Sequence, residues 1–123
     1  MTRINVVPVE TLSRQHLIAE YREITRLPGN LRTSLLRKSK PFSMSEIPSQ
    51  YVLGKGHVKH FFDKMQYLEQ RFSQLTTEMI RRGYNPNFTD TSIFRDCPTQ
   101  FYNNYEPTPE AIALNVARIK ERS

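Results

Sequence analysis

The sequence predicts an all-α fold, and three observations predict it. Strand signals are weak throughout, with no sustained two-residue alternation of apolar and polar side chains. Phe61, Met65, Leu68, Phe72, Leu75 and Met79 recur alternately four and three apart, which makes one continuous apolar helical stripe. Thr108, Pro109 and Glu110 read as N-cap, first helical position and first-turn acid of another helix. The expected architecture is a compact single domain over residues 1–123, with three main helices and long connecting loops.

Taken in chain order, Thr11 to about Leu27 forms the first helix, with Leu17, Ile18, Tyr21 and Ile24 on one face. Pro28-Gly29 is expected to end it, because proline cannot continue the hydrogen-bond ladder and glycine takes the turn. A short basic helix around Leu31–Arg37 follows, then a loop over Ser39–Ser49 containing Pro41 and Pro48. Gly54-Lys55-Gly56 opens the longest helix, from about His57 to Arg82. Arg81 and Arg82 suit its negative end and Gly83 suits its C′ position. Residues 84–107 are turn-rich. The last helix is expected to present Ile112, Val116 and Ile119 inward.

A chain of 123 residues is long enough to bury a core without staples. Thirteen aromatics, seven Phe and six Tyr, supply one. Cys97 is the single cysteine, so no intramolecular disulfide is possible and a reducing cytoplasm is the default. No apolar run approaches the length of a membrane span and no secretory apolar segment opens the chain, so no membrane partner is expected. The net charge is +6, and +5 of it lies in residues 1–40. A cationic region that local points either to a polyanion, nucleic acid being the commonest, or to a solvated basic surface.

Several candidate motifs carry little chemistry. Gly54-Lys55-Gly56 lacks the following Gly-Lys-Ser/Thr of a phosphate loop. His57 and His60 have a spacing that permits a shared metal, but no cysteine partner or HExxH pattern supports one. Cys97 has no triad signature around it. The first helix differs. At about 100° per residue, Gln15, Arg22 and Arg26 project within a narrow arc, and His16 and Glu23 form the adjacent ridge. The plain reading is a solvated face. The alternative is a site, in which two arginines clamp phosphates. A carboxylate among them would repel DNA, so Glu23 is easier to explain as a catalytic group. Removal of Met1 would expose the α-amine of Thr2 beside Arg3. Such an amine has an unperturbed pKa of about 7.7–8 and is partly neutral and nucleophilic at physiological pH.

At these residues the sequence resembles the pyrimidine-dimer DNA glycosylases of the endonuclease V type found in T-even phages. The resemblance is carried by Met1-Thr2-Arg3-Ile4-Asn5, Gln15-His16-Leu17, Ala19-Glu20-Tyr21-Arg22-Glu23, Leu53-Gly54, Gly56-His57-Val58, Phe61, Asp63-Lys64, Arg82-Gly83 and Ala117-Arg118. It implies a small all-α repair enzyme that cuts the 5′ glycosyl bond of a cyclobutane pyrimidine dimer in double-stranded DNA and nicks the resulting abasic site. It implies Thr2 as the imine-forming nucleophile and Glu23 as the carboxylate that assists elimination. Arg22 and Arg26 would hold phosphates, with Arg3, Gln15, His16 and Arg118 lining the site. A flipped base opposite the lesion, no metal or organic cofactor, and action as a monomer in a bacterial or phage-infected cell complete the expectation. The sequence departs from the family pattern over 29–50, and the family's aromatic tail has no counterpart after Ser123. A non-catalytic or altered-specificity DNA-binding module on the same fold is the competing reading.

Overall fold

The structure is a computed structural model that describes residues 3–37, 40 and 42–122. Among these residues there are α-helices and short 3-10 turns and no strand. The helices are α1 (Arg14–Ile24), α2 (Arg26–Leu35), α3 (His57–His60), α4 (Met65–Arg81) and α5 (Pro109–Glu121). The all-α class holds, but the helices divide differently from the expectation.

Helix α1 starts at Arg14 rather than Thr11, because the Ser13 hydroxyl accepts from the His16 N–H and caps it. It ends at Thr25, not at Pro28-Gly29. Pro28 instead sits in the first turn of α2, where its missing N–H has no intrahelical partner to lose. Gly29 continues that helix, so the short basic helix begins earlier than expected. Within the loop that follows, Ser39 and Pro41 lie outside the described residues. A 3-10 turn at Met44–Glu46 is closed by a capping box from Ser43 and Glu46.

The expected long helix is two helices. It breaks over Phe61–Lys64, where Phe61, Phe62 and Lys64 donate to carbonyls three residues back. The Lys64 ammonium donates to His60 O at 2.7 Å and so satisfies a terminal carbonyl of α3. The break lets the adjacent Phe61 and Phe62 both be buried. Gly54-Lys55-Gly56 is a 3-10 turn leading into α3. The far end of α4 follows the sequence reading closely. Gly83 has φ +87°, its N–H donates to Ile80 O, and the Tyr84 N–H donates to Met79 O at 2.8 Å, a Schellman closure.

The core lies where α1 crosses α4. Leu17 and Ile24 of α1 meet Met65, Leu68, Phe72 and Leu75 of α4 with no exposure, and Tyr21 stacks on Phe72 with centroids 5.8 Å apart. Phe94 closes the cluster from the loop after α4. Helix α5 faces inward differently from the expectation: Ala111 and Asn115 are buried, while Ile112 and Val116 are exposed and Ile119 is half-buried. A polar side chain has taken the inward position because the segment α5 packs against needs hydrogen-bond partners.

Candidate active site

That segment is Arg3–Val7. It runs through the interior outside any helix, with Ile4, Asn5, Val6 and Val7 all buried. Side chains from four helices, and Tyr51 from the loop before α3, supply its partners. The Arg3 N–H donates to Glu23 Oε1 at 2.7 Å. The Ile4 N–H donates to His57 Nε2 at 2.8 Å, and Ile4 O accepts from the Tyr51 hydroxyl at 3.1 Å. The Val6 N–H donates to Asn115 Oδ1 at 2.7 Å, and Val7 O accepts from Arg71 Nη1. Asn5 joins the two flanks: its amide donates to Glu20 Oε1 at 2.9 Å and its oxygen accepts from Asn115 Nδ2 at 2.8 Å.

Glu20 and Arg71 form the buried centre of this network. Arg71 Nε and Nη2 reach Glu20 Oε2 and Oε1 at 2.7 and 3.0 Å. The bidentate pair leaves neither charge uncompensated in the low-dielectric interior. Burial is the largest single influence and would lower the Arg71 guanidinium, but the charge and hydrogen bonds of Glu20, with smaller contributions from Tyr67 and Glu10, together raise it above its usual value.

Where the N-terminal segment meets α1 and α5, a cleft of about 360 Å³ opens. Arg3, Asn5, Gln15, His16, Ala19, Glu20, Glu23, Arg118, Ile119 and Arg122 line it. Burial, and then repulsion from Arg118 and Arg122, pull the Arg3 guanidinium below its usual value. Positive charge is thus held close together here, which favours an anionic occupant. Among the described residues, His16 Nε2 and Arg118 Nε, both buried atoms of cleft residues, have no hydrogen-bond partner. Such atoms are normally satisfied, so they suit a ligand or water that enters the cleft.

The structure therefore gathers Arg3, Gln15, His16, Glu23 and Arg118 around one cleft. Arg22 stands exposed on the flank of α1 and lines a neighbouring depression that shares Gln15 and Ala19 with the cleft. Arg26 is exposed one helix on, at the first position of α2. Thr2 lies outside the described residues. His57 and His60 do not face each other across a vacant site, for each Nδ1 is 2.9 Å from a backbone carbonyl, that of Val52 or of Pro48. Among the described residues, no group of three or more His, Cys, Asp or Glu is placed to hold a metal. The Cys97 thiol is half-buried, points at Phe94 O and is pushed up by burial.

Sequence reasoning missed Asn5, Arg71, Asn115 and Arg122, and gave Glu20 no role of its own. A signal for some of them existed. Glu20 occupies a core-facing place in the Leu17, Tyr21, Ile24 pattern, and Arg71 neighbours Phe72 on the helix that carries the long apolar stripe. Charges at inward positions imply a buried pair.

The fold and the cleft define a class: a small helical protein in which the chain from Arg3 onward borders a cationic cleft beside a carboxylate. Residues 1–92 match the family described as pyrimidine dimer DNA glycosylase, and the chain belongs to that family. It is accordingly a DNA repair glycosylase with DNA as its substrate. The matched region includes α1 to α4, Glu23 and the Glu20–Arg71 pair, while Asn115, Arg118 and Arg122 lie beyond it.

Proposed function

We propose that the chain is a bifunctional enzyme, an N-glycosylase and abasic-site lyase for cyclobutane pyrimidine dimers, working through an imine on the Thr2 α-amine. The single observation that carries this reading is the 2.7 Å bond from the Arg3 N–H to Glu23 Oε1 within the cationic cleft. The α-amine of residue 2 is only three covalent bonds from that nitrogen, so an amine freed by loss of Met1 is tethered to the neighbourhood of a carboxylate.

In the proposed chemistry the amine lone pair attacks C1′ of the damaged nucleotide. The C1′–N1 bond breaks and the 5′ pyrimidine leaves with the electron pair and takes up a proton. The nitrogen sheds a proton, the C1′–O4′ bond breaks with O4′ taking its electron pair and a proton, and the nitrogen lone pair forms an iminium at C1′ that acidifies the C2′ hydrogen. Glu23 accepts that proton, the C3′–O bond breaks, and the 3′ phosphate leaves with its electrons. Water then hydrolyses the imine and restores the amine. Arg3, Arg118 and Arg122 offset phosphate charge, Gln15 and His16 present polar atoms to the sugar and bases, and Arg22 and Arg26 grip phosphates along the flank.

Borohydride reduction in the presence of dimer-containing or abasic-site DNA tests this. Protein confirmed to begin at Thr2 should be trapped covalently through its terminal residue. Absence of any adduct, together with salt-dependent DNA binding, would establish the non-catalytic binding module instead.

A further inference from the structure

The Ile4 peptide is gripped on both its polar groups by side chains that cannot turn away. Ile4 is fully buried, and Tyr51 and His57 are nearly so. His57 Nδ1 lies 2.9 Å from Val52 O, so Nδ1 carries the proton and Nε2 is left as the acceptor for the Ile4 N–H. Burial holds the ring neutral, with its pKa lowered to about 4, which keeps that acceptor in place at physiological pH. The Tyr51 ring meets the His57 ring edge-on with centroids 5.3 Å apart, and Phe61 packs against both. Gly56 allows the loop to close here: a Cβ on it would stand 2.9 Å from both Pro48 Cγ and Val52 Cγ2.

Neither Tyr51 nor His57 lines the cleft. Their grip falls one residue beyond the Arg3 nitrogen that Glu23 holds. Two fixed points on consecutive residues define a direction as well as a depth. We infer that Tyr51 and His57 are positioning residues: by holding the Ile4 peptide from both sides they set the direction in which the N-terminal residues enter the Glu23 cleft. This rests on the amine reading above. Attack by an amine needs a near-attack geometry, and a displacement of about 1 Å can cost on the order of 100-fold in rate.

The test uses Tyr51→Phe, His57→Phe and His57→Gln, whose amide oxygen can still accept. Each is assayed well below its own unfolding midpoint. Three quantities are measured: single-turnover borohydride trapping on abasic-site DNA, affinity for DNA carrying a reduced abasic site, and reductive alkylation of the α-amine by butyraldehyde. We expect Tyr51→Phe and His57→Phe to trap DNA about 10- to 100-fold more slowly, with affinity and alkylation within about twofold of the parent. His57→Gln should recover part of the loss. Parent-like trapping rates in both Phe variants would overturn the inference, and so would a uniform fall in all three quantities. If His57→Phe does not fold, Tyr51→Phe, which loses one hydroxyl, decides. Parent protein that still traps DNA after its α-amine is acetylated would overturn the amine reading itself and this inference with it. Amine-dependent trapping that is indifferent to Tyr51 and His57 would overturn this inference alone.

Discussion

Glu20 and Glu23 stand three apart on α1, yet their surroundings give them opposite duties. Glu20 is buried and holds Arg71 through both oxygens, with Asn5 as a further donor. Glu23 is half-buried at the cleft and holds a backbone N–H. Glu20→Gln strands the buried Arg71 charge and should cost about 3 kcal/mol of stability, read by denaturant unfolding. Glu23→Gln keeps an oxygen for the Arg3 N–H and should change stability by less than about 1 kcal/mol. On the proposed mechanism it abolishes nicking of irradiated supercoiled plasmid; undiminished nicking would remove Glu23 from that mechanism. Asn115→Ala leaves the Val6 N–H and the Asn5 oxygen without their partner. The expected cost is about 2 kcal/mol, again by denaturant unfolding.

The helices were legible where one pattern decided them and obscure where two competed. The C-terminal stop of α4 depends on one residue, and Gly83 at φ +87° declares it. Gly83→Ala forces a Cβ into that conformation and should lower stability by about 1 kcal/mol, measured as a shift in the urea midpoint. The apolar stripe from Phe61 to Met79 is buried along its whole length, as its spacing predicts. Yet that same stripe hid the break at Phe61–Lys64, because a 3-10 turn barely disturbs a four-three rhythm. Pro28 misled for a related reason: proline is read as a stop, but it is equally a good first-turn residue, and Thr25 had already ended α1. In α5 the apolar Ile112 and Val116 outweighed Asn115 in any hydrophobic count. Only the burial of a non-helical backbone beside that helix makes an asparagine the better inward residue. The α1 face, by contrast, was visible in the sequence as a cluster of Gln15, His16, Arg22 and Glu23. Its closure by Arg118 and Arg122 depends on contacts across about a hundred residues, which no local pattern encodes.

Across the whole molecule, burial and charge pairing make stability fall as pH is lowered from neutrality. His57 is buried neutral, with its pKa lowered from 6.5 to about 4, chiefly because burial disfavours the charged ring; His60 is lowered for the same reason. The unfolded chain therefore binds protons that the folded chain refuses. The stabilisation these rings give is full above pH 6.5 and is lost as pH falls toward 4. For His57 the total is about 3 kcal/mol. Glu78, held by hydrogen bonds from Arg81 and Arg82, is lowered to about 2 from 4.5, so its contribution is present above pH 4.5 and disappears between there and 2. The two windows adjoin, and in both the unfolded state is the better proton acceptor. Thermal unfolding followed by circular dichroism should show a midpoint that is flat near neutrality, falls from pH 6.5 to 4 and falls again below 4.5. His57→Gln should flatten the first limb in part, with His60 accounting for the remainder, and leave the second intact. A midpoint that rises on acidification from pH 7 to 5 would contradict the neutral, buried state of both rings.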